Sequence, residues 1–181
     1  MGRFLEIDLT TGTVGEYPVA DELLEMYLGN KGLATRILYD VLPKGVDPLG
    51  PENVLIFNTG PLTGSGAPCT SRFNVTTKSP LTGGGLSCNC GGNFGMYLKR
   101  AGFDGVILRG RADRPTWVHI EDGEVELRDA SHLWGLNTEE TQEKLPKGTG
   151  KAVIGPAGEN KVLYACIISQ ERAAGRGGVG A

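Results

Sequence analysis

Between Asn53 and Phe103 the chain carries no aspartate or glutamate. An even spread of the chain's 21 acids over 181 residues would place about six there. The same stretch holds Arg72, Lys78, Lys99 and Arg100 among many glycines. A glycine-rich, carboxylate-free segment with a few cations suits a bound anion. Successive backbone N–H groups can form a donor nest, and glycine lets the backbone approach the ligand. An ordinary core-forming stretch with tight turns shares that composition, so both readings stay open at this point. A second cluster, Arg172-Ala173-Ala174-Gly175-Arg176-Gly177-Gly178-Val179-Gly180, sets two arginines in a glycine-rich run. Guanidinium groups there favour phosphate or a comparable oxyanion.

Other chemistry is poorly indicated. Gly175, Gly177 and Gly180 satisfy Gly-x-Gly-x-x-Gly formally, but a dinucleotide fingerprint needs a strand directly before it, and Ser169 to Ala174 intervene. Gly148-Thr149-Gly150-Lys151 lacks the earlier glycine and the following Ser or Thr of a phosphate-binding P-loop, so it reads as a turn before a strand. Cys69, Cys88, Cys90 and Cys166 form no Cys-x-x-Cys pair, and His119 and His132 lie far from them in sequence. Reduced thiols in packing roles are therefore expected, with no metal ligands. Glu139-Glu140 and Asp21-Glu22 fall where helices should start, positions that favour acids for electrostatic reasons. The residues thus offer a cradle for an anion and no acid–base constellation.

The elements that must hold this cradle can be read from periodicity. Arg3 to Leu9 alternates and should pair with Val14 to Tyr17 as a hairpin. Asp21 to Leu28 and Leu33 to Leu42 have helical spacing, interrupted by Gly29-Asn30-Lys31-Gly32. Short strands are expected at Val54 to Phe57, Phe73 to Thr77 and Gly105 to Leu108, with a helix over Asn93 to Ala101. Asp122-Gly123 between Thr116–Ile120 and Glu124–Leu127 is a strong hairpin signal. Asn137 with Glu140 resembles a capping box opening a helix to Leu145. Lys151 to Ile154 and Val162 to Ile168 read as strands. Strands joined by hairpins favour an α+β fold, β-rich, with a few short helices and no linker-like domain boundary.

Composition bounds the function classes. A net charge of −3 with scattered Lys and Arg argues against a nucleic-acid partner. No apolar run approaches the roughly 20 residues that span a bilayer, and Met1 to Glu6 has no signal-like apolar stretch. The expected address is the cytoplasm. Glycine makes up 29 of 181 residues without a collagen period, so it must serve special backbone geometry.

Seven separated motifs then resemble one family in order along the whole chain. They are Asp47-Pro48-Leu49 to Glu52-Asn53, Thr59-Gly60-Pro61-Leu62-Thr63-Gly64, Lys78-Ser79-Pro80-Leu81-Thr82-Gly83, Asn89-Cys90-Gly91-Gly92-Asn93-Phe94-Gly95, Ala101-Gly102-Phe103-Asp104-Gly105, Ile154-Gly155-Pro156-Ala157-Gly158-Glu159-Asn160, and Arg172 to Gly178. The chain is similar to the N-terminal domain of aldehyde ferredoxin oxidoreductases. The resemblance implies one domain over 1–181 built on two β-sheets, on which a tungsten (or molybdenum) bis-pterin cofactor rests. It implies oxidation of aldehydes to carboxylic acids with electrons passed to ferredoxin; aromatic acyl-coenzyme A reduction occurs in close relatives. By motif, the cofactor-binding positions are Arg72, Asn89, Gly91, Arg172, Ala173, Gly175 and Arg176. The family's four-iron four-sulfur cysteines and substrate channel are expected in C-terminal domains beyond these 181 residues, which would be partners of this one. A homodimer is compatible with the resemblance, as is a stand-alone module that holds an anion without turnover.

Overall fold

The computed structural model describes residues 2–181. Ten strands and five helices follow one another as β1 (Phe4–Asp8), β2 (Thr13–Tyr17), α1 (Asp21–Tyr27), α2 (Asn30–Val41), β3 (Leu55–Thr59), β4 (Phe73–Lys78), β5 (Gly85–Cys90), α3 (Phe94–Arg100), β6 (Gly105–Arg109), β7 (Thr116–Glu121), β8 (Glu124–Asp129), α4 (Thr138–Lys144), α5 (Pro156–Glu159), β9 (Ile167–Ser169) and β10 (Arg172–Ala174). Six strands form one sheet in the order β2-β1-β6-β3-β4-β5. β1 and β6 run parallel, and the other pairs in this sheet are antiparallel. β7 with β8, and β9 with β10, make two further ribbons. The α+β architecture is as expected, with the smaller sheet area divided between those ribbons.

Alternation decides what each face of the large sheet buries. Phe4, Ile56 and Ile107 pack with Leu33, Ala34, Ile37 and Leu38, the i, i+3, i+4 stripe of α2. Leu5, Ile7, Phe57, Val75, Cys88, Cys90 and Val106 join a second cluster with Ile167, Ala174 and Val179. Val118, Ile120, Val125 and Leu127 of the β7–β8 ribbon pack against that second cluster. The sheet is therefore covered on one face by a helix and on the other by the ribbons.

Local chemistry sets the ends. Asp122 and Gly123 both take positive φ, 48° and 86°, which matches the right-handed twist of the hairpin they close. Asn137 accepts from the amides of Glu139 and Glu140, and Glu140 returns a bond to the Asn137 amide, completing the capping box of α4. Several expectations are corrected. Only Leu28 and Gly29 separate α1 from α2, and Asn30 to Gly32 form the first turn of α2. Lys151 to Ile154 is no strand: a single bridge, Val153 to Ile168, forms there. The strand expected over Val162–Ile168 is confined to its end, as β9. Cys88-Asn89-Cys90 belongs to the edge strand β5, and only Gly91 and Gly92 turn away from it.

Candidate functional site

The expected cofactor positions gather along β5, the free edge of the large sheet. Residues 172–177 run beside it in the opposite direction. A Cβ on Gly91 would sit 3.4 Å from Arg172 Cγ, Cys88 Sγ lies 2.9 Å from the Gly175 carbonyl oxygen that accepts its bond, and Gly177 abuts Leu86. These contacts descend one segment as they ascend the other. The result is a seam between the sheet edge and the β9–β10 ribbon.

Arg72 joins the same end of the seam. It precedes Phe73, whose partner across the β4–β5 ladder is Cys90. Burial pushes the Cys90 thiol up, and the positive charges of Arg72 and Arg172 oppose that rise, so both guanidinium groups lie within electrostatic reach of one sulfur. Gly91, the residue after Cys90, lies against the Arg172 side chain. Ala173 is exposed on β10 opposite Ile168. Arg176 is exposed further along the seam, beside the Leu86 end of β5, with φ of 67°. Asn89 is also exposed, but alternation places its side chain on the face opposite Cys88 and Cys90, across from Asn74. The structure thus brings Arg72, Gly91 and Arg172 together, sets Gly175 and Arg176 along the same seam, and turns the Asn89 side chain to the other face.

Of the seven arginines outside the seam, five are ion-paired, and among the described residues Arg100 and Arg111 are not. Arg3, Arg36, Arg109, Arg114 and Arg128 each lie against a carboxylate. Among the described residues, Arg72, Arg172 and Arg176 have no such partner. A lone exposed arginine needs no explanation, since water solvates it and a surface ion pair is worth little. Three of them along one short seam, beside a stretch free of acids, constitute an electropositive strip suited to an anion.

The glycines demand a different account from the one composition suggested. A Cβ on Gly175 would lie 2.6 Å from Cys166 Sγ, on Gly178 2.2 Å from the Leu163 carbonyl oxygen, and on Gly180 2.5 Å from the Cys166 carbonyl oxygen. These residues are glycine because chain packs directly on chain. Their number alone does not report a ligand. Rigidity is the consequence: Ser79 donates to the Gly177 carbonyl at 2.8 Å in a fully buried contact, and the rings of Phe57, Phe73 and Phe94 pack with centroids 4.8 to 6.3 Å apart, Phe94 tilted against the other two, close to the Gly91–Asn93 turn. The Asn93 Oδ1 and Ser169 Oγ atoms, next to the Gly91–Gly92 turn, are buried without hydrogen-bond partners.

The hollow of the molecule lies elsewhere. A cleft of about 680 Å³ opens between Leu55, Phe57 and Leu108 of the sheet, Trp117 and Ile120 of the ribbon, and Leu145. None of the seven expected cofactor residues lines it. His119 is at its wall, edge-on to Trp117 at 5.4 Å, and takes no part in the seam.

The fold and the seam together define an α+β domain that presents unpaired arginines along a rigid main-chain edge. Residues 4–181 match the sequence model of the family described as "Aldehyde ferredoxin oxidoreductase, N-terminal domain". The chain is 47% identical to the tungsten-containing aldehyde ferredoxin oxidoreductase of Pyrococcus furiosus, over 99% of this chain and 31% of that protein. It is 37% identical to the aliphatic sulfonate oxidoreductase WOR-like subunit of the same organism, over 99% of this chain and 32% of that protein. Its structure superposes on a chain of the active site complex BamBC of benzoyl coenzyme A reductase, in complex with 1,5-dienoyl-CoA, with a TM-score of 0.94 and 40% identity, covering 99% of this chain and 28% of that one. The chain belongs to the aldehyde ferredoxin oxidoreductase family, as its N-terminal domain. It spans about a third of the length of the relatives it matches.

Proposed function

We propose that this domain seats a tungsten (or molybdenum) bis-pterin cofactor in an oxidoreductase that converts aldehydes to carboxylic acids and passes the electrons to ferredoxin. The observation that carries this reading is the grouping of Arg72, Arg172 and Arg176, unpaired, along the β5–β10 seam of a tungsten-enzyme relative. Three tests of fit support it. Guanidinium groups match phosphate-bearing tails. The acid-free stretch from Asn53 to Phe103 leaves no carboxylate from those residues to repel such a tail. The seam is held by buried main-chain contacts, so its donors are already in place when a ligand arrives.

On this reading Arg72, Arg172 and Arg176 hold the anionic groups, while Gly91, Ala173 and Gly175 offer main chain, and Asn89, with its side chain on the other face, contributes through its backbone alone. The cofactor supplies the redox chemistry when bound, and the protein supplies binding and orientation. The apolar cleft lined by Phe57, Trp117 and Leu145 is then covered by further domains of the same protein. Those domains would carry the four-iron four-sulfur cluster and the substrate channel. A cytoplasmic address belongs to the same proposal; no helix of the described residues is long and apolar enough to cross a membrane.

The test uses the full-length protein. Arg72→Ala and Arg176→Ala are expected to lower tungsten and pterin content several-fold, measured by elemental analysis and by fluorescence of the released pterin. Unchanged stoichiometry in both variants would remove the seam as the cofactor site. The high structural likeness to the benzoyl coenzyme A reductase complex favours a second reading, aromatic acyl-coenzyme A reduction on the same cofactor. Turnover of an aromatic acyl-coenzyme A, with none of an aldehyde, would select it.

A further inference from the structure

We propose that Gln142 is a positioning residue for the seam: it clasps the turn that carries Arg172 and Ala173 and so sets where they meet the cofactor. This rests on the reading of the seam as the cofactor site.

The turn is Gln170-Glu171, closed by the Ser169–Arg172 pair of the β9–β10 ribbon. Gln170 takes φ of 54°, a left-handed conformation that a residue with a Cβ adopts at a cost. Something must hold it there, and the side chain of Gln142 reaches across from α4. Its Oε1 accepts from the Gln170 amide at 2.7 Å, and its Nε2 donates to the Gln170 carbonyl at 3.3 Å and to the Thr138 carbonyl at 3.0 Å. A primary amide is suited to this, because it offers an acceptor and a donor side by side to one residue's N–H and C=O.

The clasp has a fixed base. The Asn137–Glu140 capping box anchors the start of α4. Lys151 Nζ donates to the carbonyls of Gln142 and Leu145 at its other end. The turn in turn presses on the sheet edge: a Cβ on Gly92 would sit 3.1 Å from Gln170 Oε1 and 3.0 Å from Ser169 Oγ. Movement of Gln170 would therefore shift both walls of the seam, the Gly91–Gly92 turn and Arg172 two residues on. Gln142 acts only through the ribbon.

The experiment compares full-length Gln142→Ala with Gln142→Ala/Gln170→Gly, because glycine adopts the left-handed turn without strain. In the single variant, amide hydrogen exchange over residues 170–173 should quicken about tenfold, and tungsten and pterin per protomer should fall at least twofold. The glycine in the double variant should restore most of the cofactor content, which a general loss of packing around α4 would not allow. Gln142→Glu keeps the acceptor and length but removes the donor, and should fall between wild type and Gln142→Ala in both measurements. Faster exchange with full cofactor content would overturn the proposal, as would cofactor loss that the Gln170→Gly change fails to restore. Arg172→Ala, run in parallel, separates the two ideas. If it loses cofactor while Gln142→Ala does not, only the clasp is refuted; if it retains full cofactor, the reading of the seam itself is refuted.

Discussion

The two ends of the large sheet handle charge in opposite ways. At the β1–β6 end the charges around the chain start are answered, although Arg111 has no carboxylate partner among the described residues. Asp104 accepts from the Gly2 and Arg3 amides and from Lys99, Glu6 meets Arg109, and Arg3 meets Glu16 and lies over the Phe103 ring. At the β5 end Arg72, Arg172 and Arg176 are left without carboxylates among the described residues. The first arrangement spends its charges on holding the chain start against the loop before β6. The second leaves them available to something outside these residues. Substitutions of the charged residues at the first end should therefore report in stability, and those of the arginines at the second in ligand content with stability nearly unchanged.

Strands β6 and β5 also differ in packing at their glycines, which one substitution made in each can read. Gly105, in β6, lies under the Phe4 ring: an added Cβ would fall 2.3 Å from Phe4 Cε1 and 2.8 Å from the Phe57 carbonyl oxygen. Both neighbours are buried and cannot withdraw. Gly105→Ala should destabilise by about 3 kcal/mol, read as a lower midpoint in urea or heat. Gly85, in β5, has nothing within 4 Å of its added Cβ. Gly85→Ala should change stability by less than about 0.5 kcal/mol. Equal losses at the two positions would refute this difference in packing.

Asp104 supplies the next effect. Burial alone would raise its carboxyl, but the hydrogen bond and charge of Lys99, with the Gly2 and Arg3 amides, hold it below the ordinary value of 3.8. A carboxyl lowered in the folded state contributes stability above its unfolded value and loses it as pH falls through the folded one. Asp104→Asn should cost about 2 kcal/mol near neutrality, and the difference from wild type should shrink as the pH is taken below 3.8. A difference that is constant across that range would show that the charge on Asp104 is not what holds the N-terminal segment.

The two ends also differ in how far the sequence discloses them. β1, β2, β3, β4 and β6 carry apolar alternation or short apolar runs, so their existence follows from the pattern, as do the capped α4 and the Asp122-Gly123 hairpin. β5 hides in Gly-Leu-Ser-Cys-Asn-Cys, residues with weak strand preference, although Leu86, Cys88 and Cys90 do alternate into the core. β10 hides in Arg-Ala-Ala because only Ala174 is buried and the strand is held by contacts with a distant segment. The opposite error occurs at Lys151–Ile154, where apolar residues suggested a strand but only Val153 pairs. Arg72, Gly91 and Arg172 could be grouped through the family motifs, yet their juxtaposition depends on β5 and β10 lying side by side. Gln142 carried no signal at all, since a glutamine on a short polar helix looks like any solvated surface residue.

Arg176 gives the smallest expected change in stability and the most discriminating one. It sits at φ of 67° among glycines, a conformation that costs a residue with a Cβ about 1 kcal/mol. Glycine removes that strain but adds freedom to the unfolded chain, so Arg176→Gly should leave stability unchanged or raise it by about 0.5 kcal/mol. If the arginine is there to hold an anion, the same variant of the full-length protein should carry less tungsten while melting no earlier than wild type. Loss of stability beyond about 1 kcal/mol would instead make Arg176 a structural residue like Arg3 or Arg109. The β5 end would then differ from the β1–β6 end only in where its charges find their partners.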